Sequence, residues 1–104
     1  MKKWKMQFTP EAARLLSKLH PENKKHIKKS LNALRQNPYI GKDLQEELFG
    51  FKSLRIKNYR IIYHLKEGEY LLRVYYIGQR SNVYEQFRKL LTDLQKTSPF
   101  SSDD

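Results

Sequence analysis

Residues 51–77 read FKSLRIKNYRIIYHLKEGEYLLRVYYI, and the period of two in this stretch decides the fold. Phe51 to Ile56, Tyr59 to Leu65 and Tyr70 to Ile77 are rich in Phe, Tyr, Ile and Val, the residues that suit a pleated, half-buried surface. Each run predicts a strand, and Lys66-Glu67-Gly68-Glu69 has the composition of a hairpin turn. Three consecutive strands with short connections form an antiparallel meander.

Working upstream, residues 39–50 hold Gly41, a stretch of mixed charge and Gly50. They read as an ordered connection anchored to the core by Leu44 and Leu48. Before them, Pro21 can open a helix in which Ile27, Leu31 and Leu34 recur at helical spacing until Asn37 and Pro38 end it. A shorter helix precedes that one. Thr9 supplies an N-cap oxygen, Pro10 occupies a position where a helix tolerates its missing N–H, and Ala12, Ala13, Leu15, Leu16 and Leu19 form an apolar face ending near His20. Residues 3–8 alternate again, with Trp4, Met6 and Phe8 on one side, and predict a first strand.

Downstream of Gly78 the period changes to that of a helix. Val83, Phe87, Leu90, Leu91 and Leu94 form one stripe, and Asn82 with Glu85 fits a capping box. From Ser98 to Asp104 the chain has no apolar pattern and reads as a mobile tail. The whole order is β-α-α-β-β-β-α, a single α+β domain over residues 1–97 with its helices packed on one face of a small antiparallel sheet.

Composition narrows the function. Lys and Arg number 21 against 11 Asp and Glu in 104 residues, a formal charge of +10 that exceeds what solubility asks of a small domain. A polyanionic partner accounts for it, with nucleic acid, a membrane surface and an acidic protein all open on charge alone. The absence of cysteine rules out disulfides and thiolate chemistry and fits a reducing, cytoplasmic location. No signal-peptide core follows Met1, and no apolar run approaches the roughly 20 residues of a membrane span. Lys24, Lys25, Lys28 and Lys29 share the exposed side of the second helix, as a solvated face or as a polyanion contact.

Alternation sorts the meander into faces. Tyr59, Ile61, Tyr63 and Leu65 share one side of their strand; Arg60, Ile62, His64 and Lys66 share the other, and Arg with His on that side predicts exposure. Arg55 on the preceding strand, Arg73 on the following one and Arg80 at the end of the meander can join Arg60 on a concave sheet surface. Guanidinium groups grip phosphate oxygens in pairs, so the cluster suits RNA or another phosphate ligand. Tyr59, Tyr63, Tyr75 and Tyr84 are interleaved with it. Such rings can stack unpaired bases, although Tyr63 and Tyr75 also fit core packing; Tyr84 stands outside the apolar stripe of its helix.

The segment Leu54-Arg55-Ile56-Lys57-Asn58-Tyr59-Arg60-Ile61-Ile62-Tyr63, followed by Gly78-Gln79-Arg80-Ser81-Asn82-Val83-Tyr84, resembles the signature of the RelE/ParE toxin superfamily of bacterial toxin-antitoxin modules. The likeness spans nearly the whole chain and lies closer to the RelE branch. It implies a ribosome-dependent endoribonuclease that cuts messenger RNA, with the RNA 2′-hydroxyl as nucleophile and neither metal nor other cofactor. Carried over by motif position, Arg60 contacts the scissile phosphate, Tyr84 stacks a base or moves a proton, and Arg55 and Arg80 flank them as catalytic basic groups. Lys52 replaces a lysine that some members use, and Lys52, Lys57, Arg73 and His64 are the further RNA-binding residues.

Two departures stand out. Gln79 occupies the position of a family histidine, which removes the obvious general acid or base near neutral pH, and Lys57 replaces the usual turn glycine. His20 and His26 read as incidental surface residues; His64 shares a sheet face with Arg60. Proton transfer then falls on Tyr84 or a lysine. The resemblance also implies an acidic antitoxin partner, bound in a hetero-oligomer with the toxin. Two other functions remain open: a ParE-like inhibitor of DNA gyrase without nuclease chemistry, and a toxin that has lost catalysis but still binds RNA or ribosomes.

Overall fold

The computed structural model of the chain describes residues 4–79 and 83–97. The elements follow the predicted order with one addition. They are β1 (Lys5–Phe8), α1 (Pro10–Ser17), α2 (Pro21–Gln36), β2 (Lys42–Asp43), β3 (Phe51–Ile56), β4 (Tyr59–Lys66), β5 (Leu71–Gln79) and α3 (Val83–Thr97). The short β2 was not expected. It pairs antiparallel with β3 and extends the sheet to five strands in the order β1-β5-β4-β3-β2. The expected tail and the Asn82 half of the capping box lie outside the described residues.

Local signals account for the element ends. Thr9 Oγ1 accepts from the Ala12 N–H at 3.1 Å, as its N-cap position predicts. His20 is not incidental: its Nδ1 accepts from the Glu22 N–H at 3.2 Å and caps α2. Ile56 and Tyr59 face each other across a two-residue turn in which Lys57 has φ 52°, a left-handed conformation that glycine adopts without strain. Tyr70 likewise has φ 51°, which ends the connection before β5 and keeps Tyr70 out of the strand.

The sheet departs from the expectation in two respects. β1 runs parallel to β5, with Lys5 opposite Leu71 and Phe8 opposite Val74, so the sheet is mixed. The crossover through α1 and α2 returns the chain to the sheet far from β1's own sequence neighbours, which is how parallel pairing arises. The second departure concerns the layers. α1 and α2 cover one face, where Ala12, Ile27, Leu31 and Leu34 meet Ile61, Tyr63, Leu72, Val74 and Ile77. α3 covers the other face, where Val83 and Phe87 meet Ile62 with Leu44 and Leu48 from the connection.

The face carrying Arg60, Ile62 and His64, expected to be open, is therefore covered at its centre: Ile62 is fully buried. Charge on that face is tolerated because Arg60 and His64, on either side of Ile62, are only half-buried. A bulge between Ile62 and Tyr63 pairs them with Tyr76 and Val74, leaving Tyr75 without a ladder partner. The extra residue turns both Tyr75 and Tyr76 toward the α3 side, where Tyr75 meets Phe51 edge-on at 5.0 Å.

Tyr63 belongs to the core. Its hydroxyl donates to the Pro38 carbonyl at 2.7 Å and accepts from the Gly41 N–H at 3.0 Å, tying β4 to the start of the connection. A Cβ on Gly41 would meet that hydroxyl at 2.3 Å, so the contact requires glycine. Burial pushes the Tyr63 phenol up to about 12. An unfolded tyrosine titrates near pH 10, so the folded state favours the protonated phenol. That stabilisation is complete below pH 10, is lost as pH rises toward 12, and amounts to about 2–3 kcal/mol. Urea unfolding at pH 9, 10.5 and 11.5 will show wild type losing about 2 kcal/mol more stability than Tyr63→Phe across that range, the remainder being lost at higher pH; parallel curves for the two proteins would refute the assignment. Among the described residues no helix is long and apolar enough to cross a membrane.

Candidate functional site

The register of β3 and β4 creates the site. Arg55 lies directly opposite Arg60, and Gly78 of β5 faces Arg60 from the other side. Like charges facing each other on a ladder repel, and a bound anion relieves that repulsion. Gly78 is required where it stands: a Cβ there would lie 2.9 Å from the Tyr76 ring and 3.3 Å from Val83 Cγ2. The glycine of the closing motif thus allows α3 to settle against β5.

α3 in turn delivers Tyr84. The Arg60 guanidinium carbon lies 5.2 Å from the centroid of the Tyr84 ring, a cation–π contact. Ser53 joins the two. It is 2% exposed, and its Oγ accepts from the Tyr84 hydroxyl at 3.2 Å and from Arg60 Nη1 at 3.5 Å. Arg60 Nε is buried and has no hydrogen-bond partner among the described residues. The guanidinium is thereby oriented by one ring and one hydroxyl, with donor capacity to spare.

The other expected site residues distribute unevenly. Arg55 is exposed beside Arg60, and Lys57 is exposed in the adjoining turn, so both stand at the same end of the sheet. Arg80 lies outside the described residues. Lys52 pairs across the ladder with Tyr63, whose side chain lies on the α1–α2 face. Its Nζ contacts Asp43 Oδ1 at 2.6 Å and lies 5.8 Å from the Tyr39 ring centroid, on the opposite face from Arg60.

His64 and Arg73 share the Arg60 face but not its neighbourhood. Four residues of strand separate His64 from Arg60, about 13 Å at the usual rise. His64 meets the Phe51 ring at 5.9 Å, and Arg73, opposite His64, donates to Gln7 Oε1 at 3.1 and 3.2 Å. Phe51, Tyr75 and Phe87 fill the same face under α3. The expected cluster of arginines on neighbouring strands is thus divided: Arg55 and Arg60 come together, and Arg73 stands apart. Of the interleaved tyrosines, Tyr59 and Tyr63 join the α1–α2 core and Tyr75 lies under α3, which leaves Tyr84 as the ring against Arg60.

Two residues of the site were missed in the sequence. Ser53 has the signature of a lone small polar residue, two positions from both Phe51 and Arg55 on one strand face. Arg88 follows Tyr84 by four residues, hence on the same side of α3, and its Nε lies 2.7 Å from Glu47 Oε2. That ion pair links α3 to the connection beside the site.

The sequence matches none of the curated proteins. A family model described as the ParE-like toxin of type II bacterial toxin-antitoxin systems matches residues 6–88. Among solved structures, the Mycobacterium tuberculosis toxin-antitoxin complex RelBE2 contains a chain 27% identical, aligned over 76% of this chain and 100% of that one with a TM-score of 0.71. The isolated Escherichia coli RelE toxin is 21% identical over 85% of this chain and 98% of that one, TM-score 0.66, and shares the fold. So does a chain of the archaeal RelE-RelB complex from Pyrococcus horikoshii, at 13% identity over 79% and 100% with a TM-score of 0.64. With the family model covering most of its length, the chain belongs to the ParE-like toxins of type II bacterial toxin-antitoxin systems.

Proposed function

We propose that this toxin is a cytoplasmic endoribonuclease that cuts messenger RNA on the ribosome, with the RNA's own 2′-hydroxyl as nucleophile. The observation that carries the reading is the Arg60 guanidinium held over Tyr84, with both groups hydrogen-bonded to the buried Ser53. In the reaction the 2′-oxygen loses its proton and bonds to phosphorus, the bond from phosphorus to the 5′-oxygen breaks, and that oxygen takes up a proton. Negative charge grows on the non-bridging oxygens in the transition state. Arg60, with Arg55 opposite and Lys57 in the adjoining turn, supplies the opposing charge, and Arg80 is assigned the same role by its motif position alone. Tyr84, fixed by Ser53, stacks the neighbouring base or hands a proton to the 5′-oxygen. Lys52, Arg73 and His64, placed away from Arg60, would contact RNA outside the scissile nucleotide.

The partner follows from the relatives. The similar structures include toxins bound to RelB antitoxins. We assign this chain a cognate antitoxin, acidic enough to complement a charge of +10 and bound in a toxin-antitoxin hetero-oligomer.

Gyrase inhibition is the second reading, favoured by the ParE-like description of the matching family and by Gln79 in place of the RelE-type histidine. One experiment separates the two. Purified toxin is added to a reconstituted translation reaction and, in parallel, to gyrase with supercoiled DNA. Primer extension will show cuts in the translated message that disappear without ribosomes. Trapped gyrase–DNA complexes with an uncut message would instead establish the second reading, and neither product would leave a toxin that binds without catalysis.

A further inference from the structure

Beside Tyr84, on the side of the connection, lies an open cleft of about 200 Å³. Its floor is apolar, formed by the buried Leu44 and Leu48. Tyr84, whose ring carries Arg60, lines one side, and Lys42, Asp43, Gln45, Glu46 and Arg88 complete the lining. Several of the charges here are already satisfied: Arg88 is paired with Glu47, and Asp43 with Lys52. Glu46 differs from them. Its side chain has no partner among the described residues, and its backbone is held at φ 56°, a strained conformation for a residue with a side chain.

An apolar floor, an aromatic wall and a few convergent polar groups suit a flat heteroaromatic ligand. Tyr84 borders both the cleft and the Arg60 contact, so a nucleotide whose phosphate meets Arg60 can direct its base toward the cleft. We infer that this cleft receives a single unstacked RNA base and that Glu46 selects guanine there. The selection follows from donor geometry. An ionised carboxylate only accepts, through two oxygens side by side. Guanine presents two adjacent donors on its Watson–Crick edge, N1–H and the N2 amino group, which match that pair. Adenine and cytosine place a ring-nitrogen acceptor beside their amino group, and uracil flanks its single N–H with two carbonyls, so each of these meets the carboxylate with a repelling lone pair. This inference rests on the reading of Arg60 as the phosphate contact, and its test is built to fail separately.

Backbone amide resonances of residues 45–48 in the full chain are followed during titration with GMP, AMP, CMP and UMP, which requires no catalysis. GMP is expected to shift them with an affinity about tenfold tighter than UMP, and Glu46→Gln, nearly equal in size, to bring the four nucleotides to similar affinities. Equal affinities in wild type, a guanine preference that survives Glu46→Gln, or amides silent to all four nucleotides would each overturn the assignment. Guanosine without phosphate, and GMP with Arg60→Ala, provide the second arm. If guanosine binds the wild type as tightly as GMP while the base preference holds, the phosphate role of Arg60 is lost and the cleft stands. If Arg60→Ala removes an advantage of GMP over guanosine but no base is preferred, the phosphate site stands and the cleft assignment falls.

Discussion

Replacing Arg60 with alanine is expected, on the endoribonuclease reading proposed above, to lower the rate of message cleavage by about 100- to 1000-fold, the usual loss when a preorganised donor to transition-state charge is removed. The expected fall is in the chemical step, measured as the single-turnover rate on ribosomes saturated with toxin. Arg60→Lys recovers only part of it, because an ammonium keeps the charge but not the planar fork that spans two phosphate oxygens. Stability moves differently. The variant removes a like-charged neighbour of Arg55 and a buried Nε without a partner among the described residues, and leaves the hydrogen bond from Tyr84 to Ser53 in place. Urea unfolding should therefore show little loss. A variant that cuts at the wild-type rate would reduce Arg60 to a packing role and remove the main support for phosphate chemistry at this site.

Phe87→Ala is expected to cost about 3–5 kcal/mol of folding stability, the range for truncating a buried aromatic. Phe87 is fully buried at the centre of the second layer, edge-on to Phe51 at 5.1 Å and close to Tyr75 at 6.4 Å and Tyr76 at 5.9 Å. Its loss removes the main attachment of α3 to the sheet. The functional consequence is indirect: Tyr84 is placed against Arg60 by the same helix, so activity falls along with stability. Chemical denaturation measures the first effect, and cleavage assayed well below the unfolding midpoint the second. A cost below about 1.5 kcal/mol would mean that α3 does not depend on this contact, contrary to the burial around it.

Much of this architecture was legible in residues 51–77. The β3 strand has the expected bounds, β4 runs one residue further, and β5 begins one residue later because Tyr70 adopts a left-handed backbone. Even the register was implicit. A two-residue turn between Ile56 and Tyr59 sets Arg55 opposite Arg60 and, by alternation, Lys52 on the other face. Lys52 was grouped with Arg60 by motif position; pairing separates them. Ser53 escaped notice because a serine in a strand has no distinctive pattern until its partners are known.

The sequence alone determined what local chemistry determines: the period of each element, the N-cap of α1, the excess of positive charge and the motif that singles out Arg60 and Tyr84 as candidate site residues. These depend on neighbours within a few positions along the chain. Only the tertiary structure decided which face α3 covers, that β1 pairs parallel with β5, that Arg73 and His64 stand away from Arg60, and that Arg88 and Glu46 border a cleft beside Tyr84. The physical reason is that an amphipathic stripe states that a surface must be buried without stating against what. The choice is made by contacts between residues distant in sequence: Phe87 on Phe51, Val83 near Gly78, and the hydroxyl of Tyr84 on Ser53.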